Sequence, residues 1–166
     1  MLRKKALLGT MTAVLVLLAA TVAVAANFTG TPAPDKINGT PGADNIKGLG
    51  GDDTLNGLGG NDVINGGSDD DIVNGDGSCP PSAPYCLPGS AGGDRILGGS
   101  GDDTLSGNAG NDRVSGQSGD DRVRGSTGAD RVSGGGGDDD LFCGSGVDRF
   151  DPDGGDRVSP DCEKKV

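Results

Sequence analysis

Aspartate is the residue with chemistry to offer in this chain, and its spacing is strict. Asp35, Asp44, Asp53, Asp62 and Asp71 stand nine apart, and after a break so do Asp94, Asp103, Asp112, Asp121, Asp130, Asp139 and Asp148. The chain has no His, and neither a Ser-centred nucleophile motif nor a GK[ST] phosphate loop accompanies the carboxylates, so no catalytic constellation is expected. The acidic clusters also lack the D-x-D-x-D-G register of an EF-hand loop. What evenly spaced carboxylates can do is hold hard cations. Oxygen donors without imidazole or a CxxC pair select calcium over zinc or copper, and flexible turns disfavour magnesium, which keeps its waters and demands a stricter octahedron.

The elements that must position these carboxylates follow from the other columns of the nine-residue beat. Two residues after each Asp stands a lone apolar group: Ile37, Ile46, Leu55, Ile64 and Val73 in the first array, and Ile96, Leu105, Val114, Val123, Val132, Leu141 and Phe150 in the second. Gly recurs five residues before most of the aspartates and two before them, as in "GGSGDDTLS" (98–106). This pattern predicts a six-residue turn followed by a three-residue strand whose middle residue points inward. Strands so short cannot build a sandwich. Stacked in parallel at about 4.8 Å, they form a coil whose thin core is the apolar column, with two repeats per turn and about six turns in all. The stacking brings carboxylates of alternate repeats within about 4.8 Å of one another, where they repel by on the order of 1 kcal/mol per neighbour in water. A divalent cation between them reverses the sign.

The segment at 98–106 matches the nonapeptide G-G-x-G-x-D-x-U-x, in which U is a large apolar residue. On these residues the chain resembles the RTX, or haemolysin-type, calcium-binding repeat family over residues 30 to about 158. The resemblance implies an all-β fold, a right-handed parallel β-roll (a β-solenoid), in which each calcium ion lies between turns two repeats apart, bound by the repeat Asp and by turn carbonyls. Carried onto this sequence, it makes Asp44, Asp53, Asp62, Asp71, Asp94, Asp103, Asp112, Asp121, Asp130, Asp139 and Asp148 the metal ligands for several Ca2+ ions. The pattern departs at "GTPAPDKIN" (30–38), where the second Gly is lost, at Asp69, which replaces the Gly before Asp71, and at Cys143, which replaces the first Gly before Asp148. The end sites are therefore expected to be weak or empty. The family often joins such repeats to proteases, lipases or pore-forming segments. None accompanies these repeats, so the expectation is a calcium-binding module and not an enzyme.

Composition agrees with a fold of this kind. Of 166 residues, 34 are Gly, three are Phe, one is Tyr and none is Trp, too little apolar bulk for a conventional core. Residues 1–26 read as a secretory signal peptide, with Arg3, Lys4 and Lys5 before the uncharged run from Ala6 to Ala20 and "AVAA" (23–26) offering cleavage after Ala25 or Ala26. The competing reading is an uncleaved membrane anchor. With the leader removed, no membrane span is expected, and the net charge of -11 falls to -14, which argues against a nucleic-acid partner and for cations. Export to an extracellular location lets Cys79, Cys86, Cys143 and Cys162 pair. Three connectivities are possible, and Cys79 with Cys86 and Cys143 with Cys162 fits best because each pair lies within one segment.

The organisation read from these features is a leader (1–26), a first repeat array (27–74), a disulfide loop insertion (75–88), a second array (89–151) and a C-terminal cap (152–166). The insertion returns in phase with the beat. In the cap the beat shortens to eight at Asp156, Val158 keeps the inward phase, and Phe142 and Phe150 are placed to fill the end of the core. Asp161 falls outside the beat, so substituting it is expected to matter little to calcium binding. Arg95, Arg113, Arg131 and Arg149 follow the Asp in every second repeat and should stack into a column, either pairing with the neighbouring Asp rows or binding an anionic glycan or cell-wall polymer. The leading functional expectation is a secreted structural or interaction module that folds on extracellular calcium; the alternative is a calcium-dependent adhesive or wall-binding protein.

Overall fold

The architecture follows from stacking the repeats two to a coil. A computed structural model describes residues 24–76 and 92–162, so residues 1–23 of the leader, most of the insertion with Cys79 and Cys86, and the last four residues lie outside the described part. Fourteen strands fill it: β1 (Asn27–Thr29), β2 (Lys36–Asn38), β3 (Asn45–Lys47), β4 (Thr54–Leu58), β5 (Val63–Ser68), β6 (Ile72–Asp76), β7 (Arg95–Ser100), β8 (Thr104–Ala109), β9 (Arg113–Ser118), β10 (Arg122–Thr127), β11 (Arg131–Gly136), β12 (Asp140–Ser145), β13 (Arg149–Asp151) and β14 (Arg157–Val158). Odd strands form one seven-stranded parallel sheet in chain order and even strands form the other. The result is a parallel β-solenoid of about six turns.

Register is set by the beat. Val132 of β11 pairs with Val114 of β9 and Phe150 of β13, and Ile64 of β5 pairs with Ile96 of β7 although 32 residues separate them. The insertion therefore leaves the stack unbroken, as its phase predicts. Gly75 and Asp76 extend β6 to the edge of the described residues.

β1, β2, β3 and β13 are the three-residue strands read from the sequence, but the middle of the roll differs. From β7 to β12 each strand has six residues and each turn three, the reverse of a six-residue turn and three-residue strand. Extension is possible because the inward residue of the added half is Gly, which needs no room between the sheets. A left-handed step one residue later carries the chain towards the corner, at Leu49, Leu58, Asn108, Gln117 and Ser126 among others, with φ between 76° and 94°. A second left-handed position, two before each Asp, is Gly in most repeats. Asp69 takes it with φ 74°, so the lost glycine is tolerated there at the cost of backbone strain.

Three inward columns result: Asp, apolar residue and Gly. Ile46, Leu55, Ile64, Val73, Ile96, Leu105, Val114, Val123, Val132 and Leu141 are at most 1 % exposed, each contributing roughly 1.5–3 kcal/mol of burial. Phe150 joins this core, but Phe142 does not. Standing one residue after inward Leu141, it points outward, where the guanidinium groups of Arg122 and Arg124 lie 5.1 and 5.3 Å from its ring centroid. At the C-terminal end Cys143 is buried in the Gly phase and bonded to Cys162, which packs on the core beside Val158. Asp161, outside the beat, has a place in the cap: its Oδ2 accepts the Gly144 N–H at 2.9 Å.

Candidate metal centre

Each repeat Asp stands at a corner, immediately before a strand, with its side chain turned between the sheets. Asp44, Asp53, Asp62, Asp71, Asp94, Asp103, Asp112, Asp121, Asp130, Asp139 and Asp148 are all at most 3 % exposed. They form two rows along the roll. Asp53, Asp71, Asp103, Asp121 and Asp139 precede even strands; Asp44, Asp62, Asp94, Asp112, Asp130 and Asp148 precede odd strands.

One oxygen of each carboxylate is committed to the stack. The Asp112 N–H donates to Asp130 Oδ1 at 2.9 Å, and the Asp103 N–H donates to Asp121 Oδ1 at 2.8 Å. Across the insertion the Asp62 N–H reaches Asp94 Oδ1 and the Asp71 N–H reaches Asp103 Oδ1, at 2.8 and 2.7 Å. The ladder also spans the sequence departures, from Asp35 to Asp53 Oδ1 and from Asp130 to Asp148 Oδ1.

At Asp44, near the N-terminal end, the other oxygen accepts the Thr40 N–H and hydroxyl; in the remaining ten it is orphaned. Oδ2 of Asp53, Asp62, Asp71, Asp94, Asp103, Asp112, Asp121, Asp130, Asp139 and Asp148 is buried without a hydrogen-bond partner, a cost of at least 1–3 kcal/mol each for a neutral group and more for a charged one. These oxygens face the inward glycines. A Cβ on Gly125 would stand 2.6 Å from both Asp130 Oδ2 and the Cys143 carbonyl oxygen one coil on, and one on Gly98 would meet Asp103 Oδ2 and the Gly116 carbonyl oxygen at 2.7 Å. The missing Cβ thus leaves a cradle in which a carboxylate oxygen and a carbonyl oxygen converge. That is the hard-oxygen donor set a calcium ion takes. Among the described residues no three His, Cys, Asp or Glu side chains gather at one point, so main-chain carbonyls must complete any coordination sphere here.

Electrostatics state the same demand. Burial pushes the carboxyls of Asp62, Asp94, Asp103 and Asp112 up to about 7, and those of Asp71 and Asp121 up to about 6. Neighbouring carboxylates in the same row raise them further, while the donated N–H pulls the other way. Without a cation, ionised carboxylates in these corners are held at a cost.

The sequence reading missed one buried carboxylate. Asp76, 7 % exposed, lies off the beat, and both its oxygens lack hydrogen-bond partners; its only sequence signal is an acid where neighbouring repeats carry Gly, Leu or Asn. The stacked arginines are where their spacing put them, Arg95 against Arg113, Arg113 against Arg131 and Arg131 against Arg149, but they do not pair with the Asp rows. The one ion pair among the described residues joins Arg157 and Asp140 at 3.9 Å.

Four copies of a family model described as the RTX calcium-binding nonapeptide repeat match residues 29–64, 49–77, 88–123 and 115–150, together more than half of the chain. No curated protein and no solved structure matches it significantly.

Proposed function

The chain belongs to the RTX calcium-binding nonapeptide repeat family, and from that premise we propose that it is a secreted module whose roll folds as it binds extracellular calcium. The observation that carries the reading is the set of buried, orphaned Oδ2 atoms facing glycine cradles in both rows. Bound calcium supplies the missing partner of each orphaned oxygen and neutralises the row. The ligands are Asp44, Asp53, Asp62, Asp71, Asp94, Asp103, Asp112, Asp121, Asp130, Asp139 and Asp148, with Asp53 to Asp139 serving one edge of the roll and Asp44 to Asp148 the other. Because the cradle needs oxygens from two coils that adjoin only in the roll, binding free energy becomes folding free energy.

In this reading the leader ends at Ala25, one residue before the bound of 26. The Ala26 N–H donates to Asp44 Oδ1 at 2.7 Å and its carbonyl accepts the Asn45 N–H at 2.9 Å, which supports cleavage after Ala25, since the first coil then stays whole. Circular dichroism of the leader-free chain during a calcium titration tests the proposal. A cooperative gain of β signal is expected at roughly 0.1–1 mM calcium; a full β spectrum in excess chelator, unmoved by calcium, would overturn it.

A second reading, calcium-dependent adhesion to an anionic polysaccharide, is favoured by the arginine column. Arg95, Arg113, Arg131 and Arg149 are exposed, in register on four consecutive odd strands, and joined to no carboxylate. Grooves of ≈ 320 Å³ and ≈ 420 Å³ flank the column, one with Leu97, Ser115 and Ser133 in its wall, the other with Asn111, Ala129 and Val147. Calcium-loaded protein should bind dextran sulfate and not dextran. The double substitution R113Q/R131Q should weaken this binding more than R122Q on the opposite sheet; equal loss would make the binding non-specific.

A further inference from the structure

Among the described residues Asp76 is the one buried carboxylate that the repeat does not explain. In the same phase of the coils on either side stand Leu58 and Asn108, both half-buried at positive φ. Leu58 pairs with Asp76 in the sheet, and the Asn108 side-chain amide donates to the Asp76 carbonyl at 2.7 Å. Asp76 lacks the left-handed step, so alternation along β6 breaks and two consecutive residues, Gly75 and Asp76, are buried. Its side chain thereby enters the row formed by Asp62, Asp94 and Asp112, and its charge is felt at Asp62 and Asp94. The N–H groups of Gly92 and Ala109 are near enough to favour its ionised form, yet neither closes a hydrogen bond. Beside it, the cradle at Gly75 holds the orphaned Asp94 Oδ2 and the Gly107 carbonyl oxygen, the latter 2.8 Å from where a Cβ would stand.

We propose that Asp76 adds a second, off-beat carboxylate to the repeat cradle formed by Asp94 Oδ2 and the Gly107 carbonyl, at the base of the insertion, and that the resulting calcium site is the tightest in the roll. The inference rests on calcium-driven folding as proposed above. Two carboxylates neutralise one divalent ion, whereas the repeat cradles described above each offer one orphaned carboxylate oxygen, and calcium affinity rises with the number of charged ligands. The site also joins the strand that leaves for the insertion, β6, to the turn that returns from it. Its second carboxylate outweighs the added entropy of closing the longer interval, so it is filled first as calcium rises.

Calorimetry and circular dichroism on the leader-free chain test this with D76N. The highest-affinity class of calcium should weaken about tenfold, and the folding midpoint should move to higher calcium. If Asp76 were only a source of repulsion, D76N would fold at lower calcium than the wild type, and that result overturns the proposal, as does an unchanged tightest class. If D76N fails to fold at saturating calcium, D76E decides the matter: folding of the Glu variant supports a ligand role, and its failure makes packing the cause and overturns it. A wild-type chain that does not respond to calcium at all would instead defeat the folding mechanism, which the same titration shows separately.

Discussion

The two edges of the roll carry the same inner carboxylates under different outer residues. On one edge the residue before the inner Asp is itself acidic, Asp52, Asp70, Asp102, Asp120 and Asp138, all exposed. On the other it is Ala43, Asn61, Gly93, Asn111, Ala129 and Val147. Where the neutral edge carries Asn the outer residues play the same structural part on both: Asp102 Oδ1 accepts the Asp120 N–H at 2.8 Å, and Asn111 Oδ1 accepts the Ala129 N–H at 2.8 Å. If outer charge controlled the inner sites, the acidic edge would hold its protons more tightly. It does not. Asp71 and Asp121 on that edge are pushed up to about 6 and Asp103 to about 7, against about 7 for Asp62, Asp94 and Asp112 on the neutral edge. Burial, common to both edges, is the largest cause in every case; the outer Asp52, Asp70, Asp102 and Asp120 also raise their inner neighbours, as lesser causes screened by water.

The largest consequence is a pH dependence that both edges share. Each of these carboxyls is raised in the roll relative to an ordinary Asp near 3.9. Their protonation therefore stabilises the calcium-free roll fully below about pH 4, and that contribution is lost as pH rises through 6 to 7. Chelated protein should gain β signal as pH falls from 7.5 to about 4.5, while the calcium needed for folding rises over the same range because protons compete for the same oxygens. A far-UV spectrum in chelator that is flat across this range would show that the buried rows do not titrate as the geometry requires.

Filling the cradles comes next. Substituting Gly116→Ala places a Cβ into the Asp121 carboxylate on the acidic edge, and Gly125→Ala places one 2.6 Å from Asp130 Oδ2 on the neutral edge. Each should lose one calcium site and about 1–3 kcal/mol of stability in calcium, by equal amounts if the edges are equivalent inside. Gly136→Ala, with nothing within 4 Å of its Cβ and no positive φ, is the matched control and should be nearly silent by thermal melting. A large difference between G116A and G125A would mean that the outer row reaches the cradle after all.

Much of this architecture is legible in the residues because the beat is a direct image of the stack. Asp and the apolar residue two later face the same side, and an 18-residue interval puts like on like, as in the Asn38, Asn56, Asn74 ladder, whose amides bond at 2.9 and 3.0 Å. The strands' second half was hidden because its inward residue is Gly, which leaves no side-chain alternation to read. Phe142 was misplaced for a related reason: near the end of the array, aromatic bulk suggested core, yet its position one after Leu141 fixes it outside. Asp76 and Asp161 escaped because their roles depend on where the chain departs from the repeat. At Asp76 it is the loss of a left-handed step, and at Asp161 the path of the cap back to Gly144; no periodicity encodes either.

The smallest expected effect isolates the outer charge. Asp102→Asn and Asn111→Asp are isosteric exchanges that keep an oxygen to accept the next coil's N–H, so neither alters the ladder. Each changes one exposed charge beside an inner row: Asp102 next to Asp103 and one coil from Asp121, Asn111 next to Asp112. At such separations in a solvated corner the interaction is on the order of 0.5–1 kcal/mol before screening by salt. D102N should therefore weaken calcium at its edge about two- to fivefold and N111D should strengthen it at the other by the same factor, with both effects shrinking as salt is raised. Calorimetry in low and physiological salt reads this directly. If both substitutions leave affinity unchanged at low salt, the acidic row serves only solubility and edge protection. If D102N instead abolishes a site, Asp102 is itself a ligand, and the two edges bind calcium in different ways.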